Sequence, residues 1–154
     1  MAARILRTAK RLLPWLAGWL ALQGVVALAG RLLAARFDEG DDSSKEIRRI
    51  VTVGGLELTP THPEVSRIEV DLAMGGAVVD LTGLGETTGI DLTVRAVMGG
   101  LAVKVPPDWR VWSQFRGVGG IGTDGGLTRC RDGHNADLRV RALAVFGGIG
   151  VEAG

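Results

Sequence analysis

Two patterns of apolar residues divide the chain near residue 37. From Leu12 to Ala29 no residue is charged, and Gln23 is the only strongly polar one. A run of that length approaches the roughly 20 residues with which a helix crosses a bilayer core. Beyond residue 46 apolar and polar residues alternate instead, as in Ile68-Glu69-Val70-Asp71-Leu72. That alternation is typical of half-buried β-strands, so the chain is predicted to be one N-terminal hydrophobic α-helix followed by an all-β domain.

These patterns predict three segments. Residues 1–37 are predicted to form a basic N-terminus and a single-pass transmembrane anchor, which contacts lipid through residues 12–35. Residues 38–46 are predicted to form an acidic linker, and residues 47–154 a β-repeat domain. The basic residues before the span favour a cytoplasmic N-terminus and an extracytoplasmic β domain in the cell membrane. Two alternatives stay open. Ala27-Leu28-Ala29 fits a signal-peptidase site, and the apolar helix is also compatible with burial against the soluble domain.

Doubled glycines recur through the β domain at intervals of 20 to 28 residues. An apolar residue precedes each pair and a short β-prone run follows it, which indicates an internal repeat. Adjacent glycines permit positive φ and a close approach of two backbones, as a sharp bend requires. The predicted structural turn glycines are Gly54, Gly55, Gly75, Gly76, Gly99, Gly100, Gly119, Gly120, Gly147 and Gly148.

The repeat predicts a parallel β-helix-like solenoid of about five Gly-Gly-punctuated coils. Each coil would stack on its neighbour, so that the glycines form a column of corners and the inward Val, Leu and Ile side chains form one core. The rival is an antiparallel sandwich with glycine hairpins. Its turn signals are expected every 8–12 residues, whereas the doubled glycines are further apart, which favours the coils.

Composition restricts the chemistry that the chain can perform. The net charge is +1, so no field of the whole protein attracts nucleic acid, and no nucleic-acid partner is expected. Cys130 is the only cysteine, and its spacing to His134 supplies too few ligands for zinc. The stretch from Gly119 to Leu127 only approximates a β-roll calcium motif. We expect no catalytic residue, no cofactor and no metal, and the chain is predicted not to be an enzyme.

Tryptophans and arginines in the last third are candidates for partner contact. Alternation puts Trp109 and Trp112 on opposite faces of one strand, so one indole is predicted in the core and the other exposed. Leu138 to Val151 is predicted to be the terminal coil, whose free edge binds a second copy or a partner by strand addition. Alternatively, the loop from Thr123 to Asn135 covers that end. The predicted partner surface consists of Trp112, Arg139, Arg141, Leu143, Val145 and Phe146.

The stretch from Val97 to Val111 resembles the LiaF-like C-terminal domain of cell-wall-active-antibiotic-response proteins. In that family a hydrophobic-Gly-Gly strand leads into a V-P-x-x-W-x-V segment, matched here by Val105 to Val111. A closing V-F-G-G copy is matched by Val145 to Gly148. The resemblance covers roughly residues 50–153. It implies a β-helical domain attached to a membrane segment, in a family with members that restrain a two-component sensor. This chain departs in having one predicted span where those regulators carry several.

The pattern and the resemblance together predict a function without catalysis. We expect a membrane-tethered interaction or regulatory module linked to the cell-envelope stress response, with a membrane protein such as a sensor kinase as partner. The alternative is a structural β-helical scaffold of the envelope, whose coils stack end to end into an assembly. Polymer formation by the domain would select the second interpretation.

Overall fold

The structure is a computed structural model that describes residues 24–25, 28–30, 32, 35–36, 38–85 and 89–154. The described residues between 24 and 36 are helical, and most of the predicted anchor lies outside the described residues. From Glu46 onward the chain is mostly β. The strands are β1 (Glu46–Leu58), β2 (Arg67–Asp80), β3 (Ile90–Val105), β4 (Arg110–Thr123), β5 (Thr128–Arg129) and β6 (Leu138–Ala153).

All six strands belong to one sheet with the order β1-β2-β3-β6-β4-β5. Every pairing between these strands is parallel. The prediction of a β-rich domain is therefore confirmed, and the antiparallel sandwich is wrong for the described strands. The finer prediction, a β-helical solenoid, stays a prediction.

The five long strands carry their glycine pairs at one level of the sheet. Gly75 lies opposite Gly54 and Gly99, and the column continues through Gly147 to Gly119. The first glycine of a pair is the crowded one, since a Cβ on Gly75 would lie 1.9 Å from the Gly54 carbonyl oxygen. A Cβ on Gly76 would have no neighbour closer than 3.8 Å. The column thus requires glycine mainly at its first position.

Four of the five long strands change their inward face at the glycine pair, whereas β4 keeps it, with Phe115 before the pair and Ile121 after it packed on the core. In β2 the buried residues before the pair are Ile68, Val70 and Leu72, whereas after it they are Ala77 and Val79. The parity shift means that both halves of the strand turn a face to one shared aliphatic core. Trp109 belongs to this core and Trp112 is half-buried, which confirms that the two indoles face differently.

The strand order differs from the sequential stack that the repeat predicted. After β3 the chain leaves one position free, forms β4 beyond it, and returns to fill the gap with β6. The inward residues of β6 are buried aliphatics throughout, from Leu138 to Val151, whereas β4 carries Ser113 and Gly117 at inward positions. An interior position of a parallel sheet suits the strand with the continuous apolar face.

The prediction that Leu138 to Val151 forms a free terminal edge is therefore wrong. β6 pairs with β3 on one side and with β4 on the other. Its backbone donors and acceptors are used within the sheet, so a partner strand cannot add to it. The outer positions belong to β1 at one end and to β4 with the short β5 at the other.

The two outer positions are covered to different degrees. At β1 the backbone of Glu39 forms an antiparallel bridge with Arg48, and the Asp38 carboxylate accepts from the Ile50 N–H at 2.8 Å. Helical Gly30 lies against Thr52 of the same strand, because a Cβ there would meet its hydroxyl. At β4, the strand β5 pairs with only Arg110 and Val111. The residues of the predicted linker thus cover part of the N-terminal strand.

Candidate interaction surface

Large apolar side chains stand exposed in a line beside the glycine column. The residue just before the pair is Val53 in β1, Met74 in β2, Met98 in β3 and Phe146 in β6. The strand register sets these four side by side. Their exposed fractions are 54, 51, 44 and 59%. Four neighbouring apolar side chains at this exposure form a stripe across four strands.

Four further side chains widen the stripe into a surface. Val97 and Val145 precede Met98 and Phe146 by one residue, Leu143 lies two residues further back, and Val118 occupies the glycine-rich part of β4. All four are at least half exposed. We call the eight together the apolar ridge. Single exposed hydrophobics are common on protein surfaces, but a contiguous set of this size marks an interaction site.

A shallow depression continues the ridge toward the start of the strands. Its lining is mainly apolar, and it is flanked by the Asp71 and Arg95 side chains. Arg95 donates to Asp71 at 3.1 Å and Arg48 donates to the other oxygen of Asp71 at 3.3 Å. Arg95 also lies 3.8 Å from a Glu69 carboxylate oxygen. Two arginines thus face two carboxylates next to the ridge, and the ridge itself carries no charge. The apolar residues of the depression are Ile50, Val51, Leu72, Ala73, Ala96, Val97, Leu143 and Val145.

A second cluster of polar residues lies on the same outer face, closer than the ridge to the N-terminal ends of the strands. Arg139 donates from two nitrogens to the two oxygens of Asp91, at 2.8 and 2.9 Å. Arg141 donates to Asp91 at 3.2 Å, and its guanidinium lies 5.8 Å from the centre of the Trp112 ring. The hydrogen bond from Arg139 holds the pKa of Asp91 below its usual value, against the opposing effect of burial. Both arginines are thus engaged within the fold.

The six residues predicted as a partner surface separate into two groups in the structure. Leu143, Val145 and Phe146 are exposed and belong to the ridge. The remaining three form the cluster around Asp91, with Trp112 opposite Arg139 in the β4–β6 register. The two arginines are paired with a carboxylate, so they offer less free positive charge than their sequence suggests.

Five ridge residues were not among the sequence-based candidates. They are Val53, Met74, Val97, Met98 and Val118. The signal for four of them was present in the repeat itself, because Val53, Met74, Met98 and Val118 all occupy the position before a glycine pair. An apolar residue recurring there could equally be an inward one. Only the change of inward face at the glycines shows that this position points outward.

Chemistry at the remaining polar residues is limited within the part of the chain that the structure describes. That part contains no group of three or more His, Cys, Asp or Glu side chains that could hold a metal ion. The Cys130 thiol lies 3.8 Å from the Asn135 carbonyl oxygen. His62 Nδ1 accepts from the Glu64 N–H at 3.0 Å. Each of these groups serves a local loop contact.

The helical residues before the sheet bear on the predicted anchor only in part. Val25, Leu28 and Leu32 are exposed apolar residues. Within the described ranges, no helix is both long enough and apolar enough to cross a membrane. Since the predicted anchor extends mostly over residues outside those ranges, its transmembrane role stays a prediction.

Comparison with known proteins adds no assignment. No family model, no curated protein and no solved structure matches the chain. The resemblance to the LiaF-like domain therefore rests on the segments Val97 to Val111 and Val145 to Gly148.

Proposed function

We propose that this chain is a membrane-tethered, non-enzymatic interaction module whose partner binds at the apolar ridge. One observation carries the proposal: eight large apolar side chains lie exposed on one surface of a domain whose core is already complete. The fold does not need these side chains, since the inward faces supply the core. Exposed apolar area of this kind is retained where a partner covers it.

The energetics of the ridge suit a specific complex. Complete burial of one Phe, Met, Leu or Val side chain contributes about 1.5–3 kcal/mol. The ridge side chains are already about half buried, so each would contribute about half of that value. Covering all eight, at about 6–12 kcal/mol in total, would offset much of the cost of bringing two proteins together, which is about 4–15 kcal/mol. Because adjacent charges are paired among themselves, the partner surface is expected to be apolar at its centre. Nucleic acid does not fit such a surface.

The partner class follows from the tether. The apolar segment at residues 12–35 is proposed to anchor the chain in the cell membrane, with the β domain on the extracytoplasmic side. Gly30 lies against Thr52, next to the ridge strands, so a membrane protein beside the anchor could reach the ridge. The resemblance to the LiaF-like domain supports a regulatory role in the envelope stress response, with a sensor kinase as the candidate partner.

The finer architecture is also part of this proposal. We infer that the parallel sheet is one wall of a short β-solenoid. The ladder between β2 and β3 continues one residue beyond each end of β2: the Leu81 N–H donates to the Lys104 carbonyl of β3 at 2.9 Å, and the Asp91 N–H of β3 donates to the Ser66 carbonyl at 2.9 Å. A parallel ladder that continues into the connecting segments is expected of stacked coils.

A structural scaffold is the second candidate function. Its support is the incompletely paired outer side of β4, since an open strand edge templates further pairing. An assembly built this way would depend on backbone groups of β4 rather than on the ridge. The two functions thus use different surfaces and can be separated by mutation.

The ridge is tested by recovering partners of the full-length chain from native membranes. We expect the double variant Met98→Gln with Phe146→Gln to lose partners that the wild type retains. Val78→Gln is the matched control, because Val78 is a half-buried valine in β2 between the inward residues Ala77 and Val79. If the double variant keeps every partner of the wild type, the ridge is not the binding surface.

The tether is tested separately by removing residues 1–37. We expect the shortened chain to leave the membrane fraction and to keep a β-type circular dichroism spectrum, because the described core begins at Ile47. Retention in salt-washed membranes would contradict the anchor, and loss of the β signal would contradict the two-part organisation.

A further inference from the structure

We propose that the depression beside Trp112 binds a phosphate group, which Arg141 and His134 hold. The depression lies on the outer face of the sheet, near the starts of β3, β4 and β6, and has a volume of about 360 Å³. None of its lining residues belongs to the apolar ridge, so the inference goes beyond the proposed function. The lining consists of Asp91, Trp112, Gly133, His134, Arg139 and Arg141.

The strand register and one loop together build the depression. Asp91 of β3 lies opposite Arg139 of β6, and Arg139 lies opposite Trp112 of β4. The loop before β6 returns over this row, because a Cβ on Gly133 would lie 3.2 Å from Arg139 Cδ and 3.5 Å from Trp112 Cδ2. His134, the next residue of the loop, is exposed and lines the same depression. The walls therefore come from three strands and a loop.

The charges of the depression leave positive charge in excess. Two guanidinium groups face one carboxylate, since Arg139 donates to both oxygens of Asp91 and Arg141 donates to one of them. The next cation along the row, Arg67, has its own carboxylate, with the Glu46 oxygen at 3.9 Å. One guanidinium charge of the depression is therefore unmatched, and this charge favours an anionic ligand.

The donors for that ligand belong to Arg141. Among the described residues, Arg141 donates a side-chain hydrogen bond only to Asp91, from Nη1 at 3.2 Å. Its Nε and Nη2 are the same pair of nitrogens with which Arg139 binds the two Asp91 oxygens. This pair matches two oxygens of a phosphate in the same way, and the His134 imidazole adds a donor from the loop.

Asp91 orients the arginines without closing the site. Its Oδ1 accepts from Arg139 Nε and Arg141 Nη1, and its Oδ2 accepts from Arg139 Nη2. The hydrogen bond from Arg139 keeps the pKa of Asp91 below its usual value, so the carboxylate stays charged and holds both guanidinium groups. Trp112 supports Arg141 from the β4 side, with its ring centre 5.8 Å from the guanidinium.

The test uses the two histidines of the full-length chain, purified in non-ionic detergent, as NMR reporters. His134 lines the depression, whereas His62 lies between β1 and β2, where its Nδ1 accepts from the Glu64 N–H. We expect sodium phosphate, at constant pH and ionic strength, to shift the ring resonances of His134 alone, with a Kd on the order of 1 mM. Equal shifts of both histidines, or no shift of His134, would overturn the proposal.

The source of the phosphate is distinguished in the same experiment. Glycerol 3-phosphate in solution and phosphatidylglycerol in the detergent micelle carry the same group. A shift of His134 with the soluble ester assigns a small solute as the ligand, and a shift with the lipid alone assigns a headgroup. No shift with either compound would contradict the site.

Three charge variants make the test specific. Arg141→Gln should weaken phosphate binding at least about tenfold. Arg116→Gln removes the same charge from an exposed arginine of β4 outside the depression and should leave the Kd unchanged. Asp91→Asn removes the competing negative charge and keeps one acceptor oxygen for the arginines, so binding should tighten about threefold or more. A damaged fold does not raise affinity, so an unchanged or weaker Kd in Asp91→Asn would overturn the proposal even if Arg141→Gln failed to fold.

Discussion

The core and the ridge beside the glycine column contain the same kinds of apolar side chain, but these side chains have opposite roles. In β3, Leu92 and Val94 point inward and are fully buried, whereas Val97 and Met98, only a few residues later, are about half exposed. The inner side closes a core in which neighbouring strands supply matching aliphatics. The outer side repeats apolar residues that have nothing to pack on within the domain.

Folding therefore requires the buried core side chains but does not require the exposed side chains of the ridge. Burial of the inner side stabilises the fold, so substitutions there should lower the free energy of unfolding. Substitutions on the ridge should leave stability almost unchanged and alter binding instead.

The largest effect on the free energy of unfolding is expected at the glycine column. A Cβ on Gly99 would lie 2.0 Å from the Gly75 carbonyl oxygen, whereas a Cβ on Gly100 would lie 3.4 Å from its nearest neighbour. Gly99→Ala should therefore destabilise the protein by about 3 kcal/mol or more, and Gly100→Ala by about 1 kcal/mol or less. Urea unfolding of the two variants measures the difference. Equal losses would show that the first glycine is not the crowded position.

The next effect compares the two sides within one strand. Leu92→Ala opens a cavity in the core and should cost about 2–5 kcal/mol of unfolding free energy. Met98→Ala removes an exposed side chain of the ridge and should change it by about 0.5 kcal/mol or less. Thermal unfolding monitored by circular dichroism compares both with the wild type. A large loss for Met98→Ala would mean that the ridge serves folding.

A smaller effect is expected from the charges on the outer side. The Arg139 hydrogen bond lowers the pKa of Asp91 in the folded state, so its stabilising contribution is complete above the unfolded value of about 3.9. The contribution is lost as the pH falls through the lower folded pKa. Asp91→Asn should cost about 1 kcal/mol or less at pH 7.

The same variant has its own control in acid. Well below the folded pKa of Asp91 the wild-type carboxyl is neutral, so the wild type and Asp91→Asn should converge in unfolding free energy. Urea midpoints measured at pH 7 and at successively lower pH provide the comparison. A gap between the two proteins that stays constant with pH would show that the ion pair does not stabilise the fold.

Much of the fold was accessible from the sequence because its signals are local. Alternation predicted strands, and the spacing of glycine pairs predicted that parallel strands would align them, as Gly54, Gly75 and Gly99 do. The insertion of β6 between β3 and β4 was not accessible. It depends on which strand best fills an interior position that has a neighbouring strand on each side. That choice requires a comparison among distant segments of the chain and cannot be read from the pattern within one segment.

The candidate surface shows the same limit. Leu143, Val145 and Phe146 were selected as residues of a free edge, and they are exposed on the face of an interior strand. Likewise the acidic linker predicted at residues 38–46 implied no fixed position for Gly40. It has a φ of 76°, and a Cβ there would lie 2.4 Å from the Glu46 carbonyl oxygen. Both errors arise because the packing of residues 38–41 and of β6 is set by tertiary contacts.

Site-specific photo-crosslinking in native membranes tests whether a partner covers the ridge. A benzophenone amino acid would replace Met98 in one full-length chain and Val78 in another. Met98 lies in β3 just before its glycine pair, whereas Val78 lies in β2 after its glycine pair. We predict a discrete adduct with a membrane protein from position 98 and none from position 78. Absence of an adduct at 98, or the same adduct from both positions, would contradict the account.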